Sequence, residues 1–346
     1  MVLKNQDYLT RIASKRFSEI LQDGFILFFK NWKKIILPMT LFFIMGLLVK
    51  TFLLADLNWY LYSQGSYMNA LLEKFQNDPT SISNVESQAL LMYLSFLLLA
   101  AISENAIDII FTVLSLSAVS FYLYNKYMNE KSDYKLNIKK ALNKKVILVI
   151  LLLGIGIPLG FVILIVPAII IFGFYIFSVF TFNFDDVKKP IREARLLSKG
   201  AFWKIIAIFL ISTFISMMIN NIYSFILDFL WPVKQSAYIS WYDPMNRRYD
   251  LIILYTIVQS IISILLQPLF ISLLTTTFSQ MKVKREILLK TQYITHVPTS
   301  TVQVPKVRIE GEDKSLKGIY CPYCGQYMEI KLNYCPNCGE HLDFEI

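Results

Sequence analysis

Two pairs of cysteines near the C-terminus have the spacing of a metal site: Cys321-Pro-Tyr-Cys324-Gly325 and Cys335-Pro-Asn-Cys338-Gly339. Thiolates separated by two residues can face one ion if the chain reverses sharply between them. The glycine after each pair supplies the positive φ such a reversal needs. Ten residues lie between the pairs, enough for a short hairpin that gathers four sulfurs into a tetrahedron. Zn²⁺ accepts that arrangement with no open position, which marks a structural rather than a catalytic site. The rivals are two disulfides, iron, and a ligand set in which His341 competes with a thiolate. Matching knuckles on a reducing side of a membrane disfavour disulfides, and iron sites of this type place their knuckles further apart.

The remaining candidates are weaker. Glu104 and Asp108 stand four residues apart and share a helix face. Charges at membrane depth commonly mark ion or proton pathways, but Asp108 falls 18 residues from Lys126, which sets it near an interface. Gln259 and Gln267 either line a polar cavity or hydrogen-bond between helices. Pro167 and Pro268 are gating kinks or, more simply, a packed turn and a fixed kink. The two histidines, His296 and His341, have no partner at triad spacing. No paired acidic motif, nucleophile elbow or phosphate loop is present, so the chain is read as non-enzymatic.

The elements that must carry these residues are apolar. Of 346 residues, 55% are hydrophobic and 17% charged, against about 25% charged in soluble domains. A bilayer crossing takes about 20 apolar residues, and six candidates emerge: 35–54, 106–124, 146–163, 166–184, 202–220 and 251–278. The third and fourth divide one uncharged run of 39 residues, with a turn between Gly160 and Pro167. The expected fold is an all-α polytopic bundle over residues 1–290, then a linker (291–316) and a small β-type ribbon (317–346). No cleavable signal peptide is evident before the first span.

Charge orients the crossings. Segments 1–34, 126–145 and 185–204 carry seven, seven and six Lys or Arg against three, two and three acids. Segment 56–87 has one lysine against four acids, and 221–250 is balanced at three each. Basic segments are retained in the cytoplasm, so both termini are expected there, in the plasma membrane. Residues 88–103 are also apolar, but a separate crossing would invert everything downstream. They form either a surface helix or an extension of the second span.

Two cytoplasmic stretches are amphipathic. Over 7–30, Tyr8, Ile12, Phe17, Leu21, Phe25 and Phe28 recur at helical spacing, suiting a helix in the headgroup interface or against the bundle underside. Between the fourth and fifth spans, Asp185 or Asp186 can cap a helix, Pro190 opens it, and Gly200 ends it before Phe202 and Trp203. Ile191, Ala194 and Leu197 share one face of that helix.

This last stretch, with the apolar hairpin around Pro167, resembles the membrane domain associated with glycerophosphodiester phosphodiesterases. That domain also occurs alone in prokaryotic membrane proteins of unknown function. Leu197, Ser198, Lys199 and Gly200 match the second half of its pattern, while Pro190 and Ala194 replace its Ala and Ser. The resemblance implies a six-span bundle and no phosphodiesterase activity, because the catalytic barrel of about 250 residues has no counterpart. The C-terminus resembles short zinc ribbons of the Cys-Pro-x-Cys-Gly type, with Tyr334 at their aromatic position. Such modules serve as protein- or nucleic-acid-binding appendages. Here residues 317–346 hold two lysines against four acids, which disfavours nucleic acid and favours a cytoplasmic protein partner. Thirty residues bury too little to fold unaided, so Zn²⁺ supplies the folding free energy. The expected function is recruitment or sensing of that partner. The alternative is a transporter or permease using the polar residues of the second and sixth spans.

Overall fold

A computed structural model describes residues 2–78, 83–130, 133–163, 165–184, 187, 189–295, 319–320 and 327–328. Among the described residues, four helices are long and apolar enough to cross a membrane. They are α2 (Phe17–Asn77), α3 (Asn84–Tyr127), α10 (Phe202–Leu230) and α12 (Tyr249–Thr295). Around them lie α1 (Val2–Ser14), α4 (Tyr134–Ala141), α5 (Val146–Val149), α6 (Gly156–Ile163), α7 (Ile165–Tyr175), α8 (Ser178–Thr181), α9 (Pro190–Lys199) and α11 (Gln235–Ser240). An antiparallel pair, β1 (Ile319–Tyr320) with β2 (Tyr327–Met328), lies in the C-terminal region.

The amphipathic segment 7–30 is divided between two elements. Its first part belongs to α1, and Phe17–Lys30 is the opening of α2, which continues unbroken into the apolar run. The Arg16 backbone N–H donates to Glu19 at 2.8 Å, satisfying one of the free donors at the start of α2. Most apolar side chains of this region face the bundle, Ile26 and Phe29 being exposed. Phe17, Leu21 and Phe25 pack with buried Phe28, Ile208, Leu269 and Leu273.

Residues 88–103 are part of α3, a single 44-residue helix. A capping box fixes its start: the Glu86 N–H donates to the Ser83 hydroxyl, and the Ser83 N–H donates back to the Glu86 carboxylate at 2.8 Å. Those contacts hold the Glu86 carboxyl below its ordinary value, the backbone bond contributing most. Its end is a turn through Asn129, whose φ of 61° is a left-handed conformation that asparagine tolerates. The 61 residues of α2 extend about 90 Å at about 1.5 Å each, three times the hydrocarbon thickness. The C-terminal half of α2 and the N-terminal half of α3 form a helical hairpin with its own small core of Leu61, Met68, Leu71, Leu90, Tyr93 and Ala100.

The uncharged run 146–184 is built from shorter pieces than two full spans. Its limbs are apolar helices covering Val146–Phe161 and Ile165–Thr181. At about 1.5 Å per residue each reaches about 25 Å, short of the roughly 30 Å core. The first limb contains a π-helical stretch, Ile150–Ile155. Gly160 lets the limbs touch: a Cβ there would lie 2.7 Å from the Ala168 nitrogen. Pro167 sits in the first turn of α7, where a missing N–H costs nothing.

Helices in lipid associate by close packing and hydrogen bonds rather than by apolar burial, and both devices recur here. A Cβ on Gly24 would meet Leu273 at 2.6 Å, and one on Gly46 would meet Phe111 at 2.9 Å. On α12 the side chains of Ser272, Thr275, Thr276, Thr277, Ser279 and Gln280 are fully buried. Most bond back to their own helix, while the Thr276 hydroxyl donates to the Ile20 carbonyl at 3.1 Å. Phe278 anchors the main core, stacked on Phe180 at 4.5 Å between ring centroids.

Candidate functional site

Cys321, Cys324, Cys335 and Cys338 lie outside the described residues, as do His296 and His341. What is described beside them is the β1–β2 pair, with Tyr320 opposite Tyr327. Cys321 directly follows β1, and Cys324 stands three residues before β2. Among the described residues, no three His, Cys, Asp or Glu side chains converge as a metal site.

Within the bundle the structure brings together residues from α2, α3 and α12 around a polar cavity of ≈ 370 Å³. The Lys50 ammonium meets the Asp108 carboxylate at 2.9 and 3.0 Å. Glu104, one turn away, faces α2 as well, but its contact is with the Asn58 amide at 3.5 Å. Glu104 and Asp108 therefore share a face without acting on one group. Lys50 stands 16 residues beyond Lys34, and Asp108 stands 18 before Lys126. Measured from the basic ends of antiparallel helices, both lie about 25 Å deep, which is why they meet. A charge at this depth is expensive unless paired or wetted, and here it is both paired and open to the cavity.

The opposite wall is a stripe on α12. Thr256, Ser260, Ser263 and Gln267 line the cavity, and their spacing of four, three and four places them on one helix face. The Gln267 Oε1 is buried and accepts no hydrogen bond from the described residues. Gln259 lies off that face and donates to the Tyr255 hydroxyl at 2.6 Å. Pro268 follows directly after Gln267. In the turn before it, where the proline lacks an N–H to donate, the Leu265 carbonyl accepts the Trp32 indole N–H at 3.0 Å, a bond from α2 to α12. Lys50 and the hydroxyl residues, Thr112 of α3 among them, are the polar members that the sequence patterns did not single out. An isolated lysine inside an apolar run, at the depth of an aspartate on the next helix, is a legible signal for the pair.

The cavity presents one cation, one anion, four hydroxyl residues (Thr112, Thr256, Ser260 and Ser263) and an unsatisfied amide oxygen. Such a lining suits water or a small solute carrying both hydrogen-bond donors and acceptors.

An aromatic cluster joins α11 and the loop after it to α2. Tyr238 and Tyr242 share a hydrogen bond at 3.1 Å and both contact Tyr62 of α2, with ring centroids 5.9 and 5.3 Å away. Burial pushes the Tyr242 phenol up to about 12, with Tyr62 and Glu104 adding to the rise and the Tyr238 bond opposing it. Arg247 donates to Asp56 and to the Tyr242 carbonyl, tying the loop before α12 to α2.

Between α8 and α10, α9 lies on the bundle with Ala194, Leu196, Leu197 and Ser198 buried. Gly200 ends this helix with φ of −76°. Its small size serves a close approach instead of a turn, since a Cβ would meet Met281 at 2.6 Å. Glu193 pairs with Arg285 of α12. No family model, curated protein or solved structure matches the chain.

Proposed function

We propose that the chain is a non-enzymatic integral membrane protein of six crossings with both termini in the cytoplasm. Its ribbon holds Zn²⁺ through Cys321, Cys324, Cys335 and Cys338, and recruits or senses a protein partner at the membrane surface. The observation that supports the ribbon is the antiparallel β1–β2 pair, whose strands bracket the Cys321–Cys324 knuckle in sequence. The crossings are supported by four long apolar helices, by two shorter ones, and by the alternation of basic and non-basic connections. The resemblance of 190–200 to the stand-alone membrane domain agrees with that count.

The purified full-length protein is expected to carry one equivalent of zinc, and Cys324→Ser to carry much less, because three thiolates leave the tetrahedron open. A partner captured by the wild-type protein and lost from Cys324→Ser would support recruitment. Full-length protein without zinc would end the ribbon reading. Reporter fusions at Ser66 and Gln235 should read outside, and at Lys188 and Ser315 inside; a cytoplasmic signal at Ser66 removes the topology.

A second reading, a solute permease, rests on the Lys50–Asp108 cavity and the unsatisfied Gln267 oxygen. Glu104→Gln with Asp108→Asn should abolish solute-dependent signal in proteoliposomes under that reading and leave the phenotype intact under the first. Deleting 316–346 should do the reverse.

A further inference from the structure

On the cytoplasmic side, α9 and the end of α12 enclose a groove of ≈ 610 Å³. Four cations line it, Lys189, Arg192, Lys282 and Arg285, with two acids, Glu193 and Glu286. Each acid has a cation beside it. Arg285 pairs with Glu193, and Lys282 stands 3.8 Å from Glu286. Four cations against two acids leave an excess of two positive charges, and Lys189 and Arg192 are both exposed.

The helix next in the chain fixes the depth of the groove. Trp203 opens the apolar helix α10 and is 79% exposed, the position of an indole at the boundary between headgroups and acyl chains. A helix lying on the bundle three residues earlier therefore sits among the headgroups. Leu289, 39% exposed, provides an apolar rim to the same groove. Guanidinium groups match phosphate oxygens in pairs, and basic pockets between helices on the cytoplasmic face suit anionic lipid headgroups.

We infer that this groove binds the phosphate of an anionic phospholipid, with Arg192 and Lys189 as its principal contacts and Arg285 held in place by Glu193. The inference rests on the topology proposed above only for which leaflet supplies the lipid, and an assay in detergent does not depend on the leaflet. The lipid ties α9 to α12, the helix that leads into the linker.

The test uses full-length protein in a neutral maltoside detergent, with phosphatidylglycerol or phosphatidylcholine of identical chains added at equal mole fraction. Phosphatidylglycerol is expected to raise Tm by about 2 °C or more, and phosphatidylcholine to raise it less. Lys189→Gln with Arg192→Gln should match wild type in phosphatidylcholine and lose the extra shift. Millimolar inorganic phosphate should not reproduce it. An equal response to the two lipids, or a full shift in the double variant, overturns the site. A shift from inorganic phosphate to which lipid adds nothing overturns the lipid assignment. If the double variant does not purify, Arg192→Gln alone, read by native mass spectrometry, should retain fewer phosphatidylglycerol molecules than wild type; equal retention overturns the proposal. Reporter fusions that invert the topology while the lipid shift persists would separate the two readings.

Discussion

The side-chain amide of Gln280 donates to the carbonyl of Lys15 at 2.6 Å, joining residues 265 positions apart. The same nitrogen reaches the Ala13 carbonyl at 3.3 Å, and the Oε1 accepts the Lys204 ammonium at 3.1 Å. One buried glutamine on α12 thus satisfies carbonyls at the end of α1 and holds the first turn of α10. Gln280→Ala would strand all three groups, and an unmade buried hydrogen bond costs about 1–3 kcal/mol. Thermal unfolding in detergent should show a clear loss of stability. A variant that melts with wild type would mean that the junction between α1 and α2 is held by other contacts.

The Lys50–Asp108 pair should behave as a unit. Lys50→Gln and Asp108→Asn should each destabilise, and the exchange Lys50→Asp with Asp108→Lys should recover part of the loss. Asp108 is more than half exposed, so the coupling energy is expected at the level of an exposed pair, about 0.5–1 kcal/mol. A double-mutant cycle on Tm reads it. Additive single effects would show that the two charges are each solvated by the cavity and do not need one another.

Gly160→Leu should be among the most damaging single changes in the bundle. Its Cβ would collide with the Ala168 backbone, which cannot rotate away as a side chain would. Overpacking of this kind typically costs about 1–3 kcal/mol or more, a large share of a domain's stability. Yield of monodisperse protein and Tm should both fall, whereas Gly65→Ala, with its nearest neighbour the Tyr93 hydroxyl at 3.8 Å, should be neutral.

Alkaline pH should loosen the segment between α10 and α12. The Tyr242 phenol, raised to about 12 by burial from its ordinary 10.0, keeps its proton more firmly in the folded state than in the unfolded one. Its contribution is therefore complete below pH 10 and is lost as pH rises from 10 to about 12. Tyr62 and Tyr238, also shifted upward by burial, add in the same direction. Stability should hold from neutral pH to about 9 and then decline, less steeply in Tyr242→Phe. A decline of equal slope in that variant would assign the alkaline transition elsewhere.

The long apolar helices and α9 were legible because their signals are local. An apolar run of bilayer length, or Pro190 ten residues before Gly200, needs no tertiary information. The continuity of Phe17–Lys30 with the first span was not legible, because an amphipathic stretch reads alike whether it turns at Lys30 or runs straight on. For residues 88–103 the sequence left two readings, and their place in α3 bears out the extension of the second span over the separate surface helix. The cavity lies between these extremes. Thr256, Ser260, Ser263 and Gln267 repeat at helical spacing within an otherwise apolar span, a stripe visible in the sequence once glutamines are not considered alone. Lys50 was masked by the hydropathy of its neighbours, although its depth matches that of Asp108.

The helical hairpin of α2 and α3 also has a use in imaging. Residues 55–77 of α2 alone extend about 35 Å past the span that precedes them. For a protein of 40.2 kDa, most of which a detergent micelle would hide, that rigid two-helix mast is a built-in fiducial. It breaks the pseudo-symmetry of the micelle and gives particle alignment a feature that needs no bound antibody fragment.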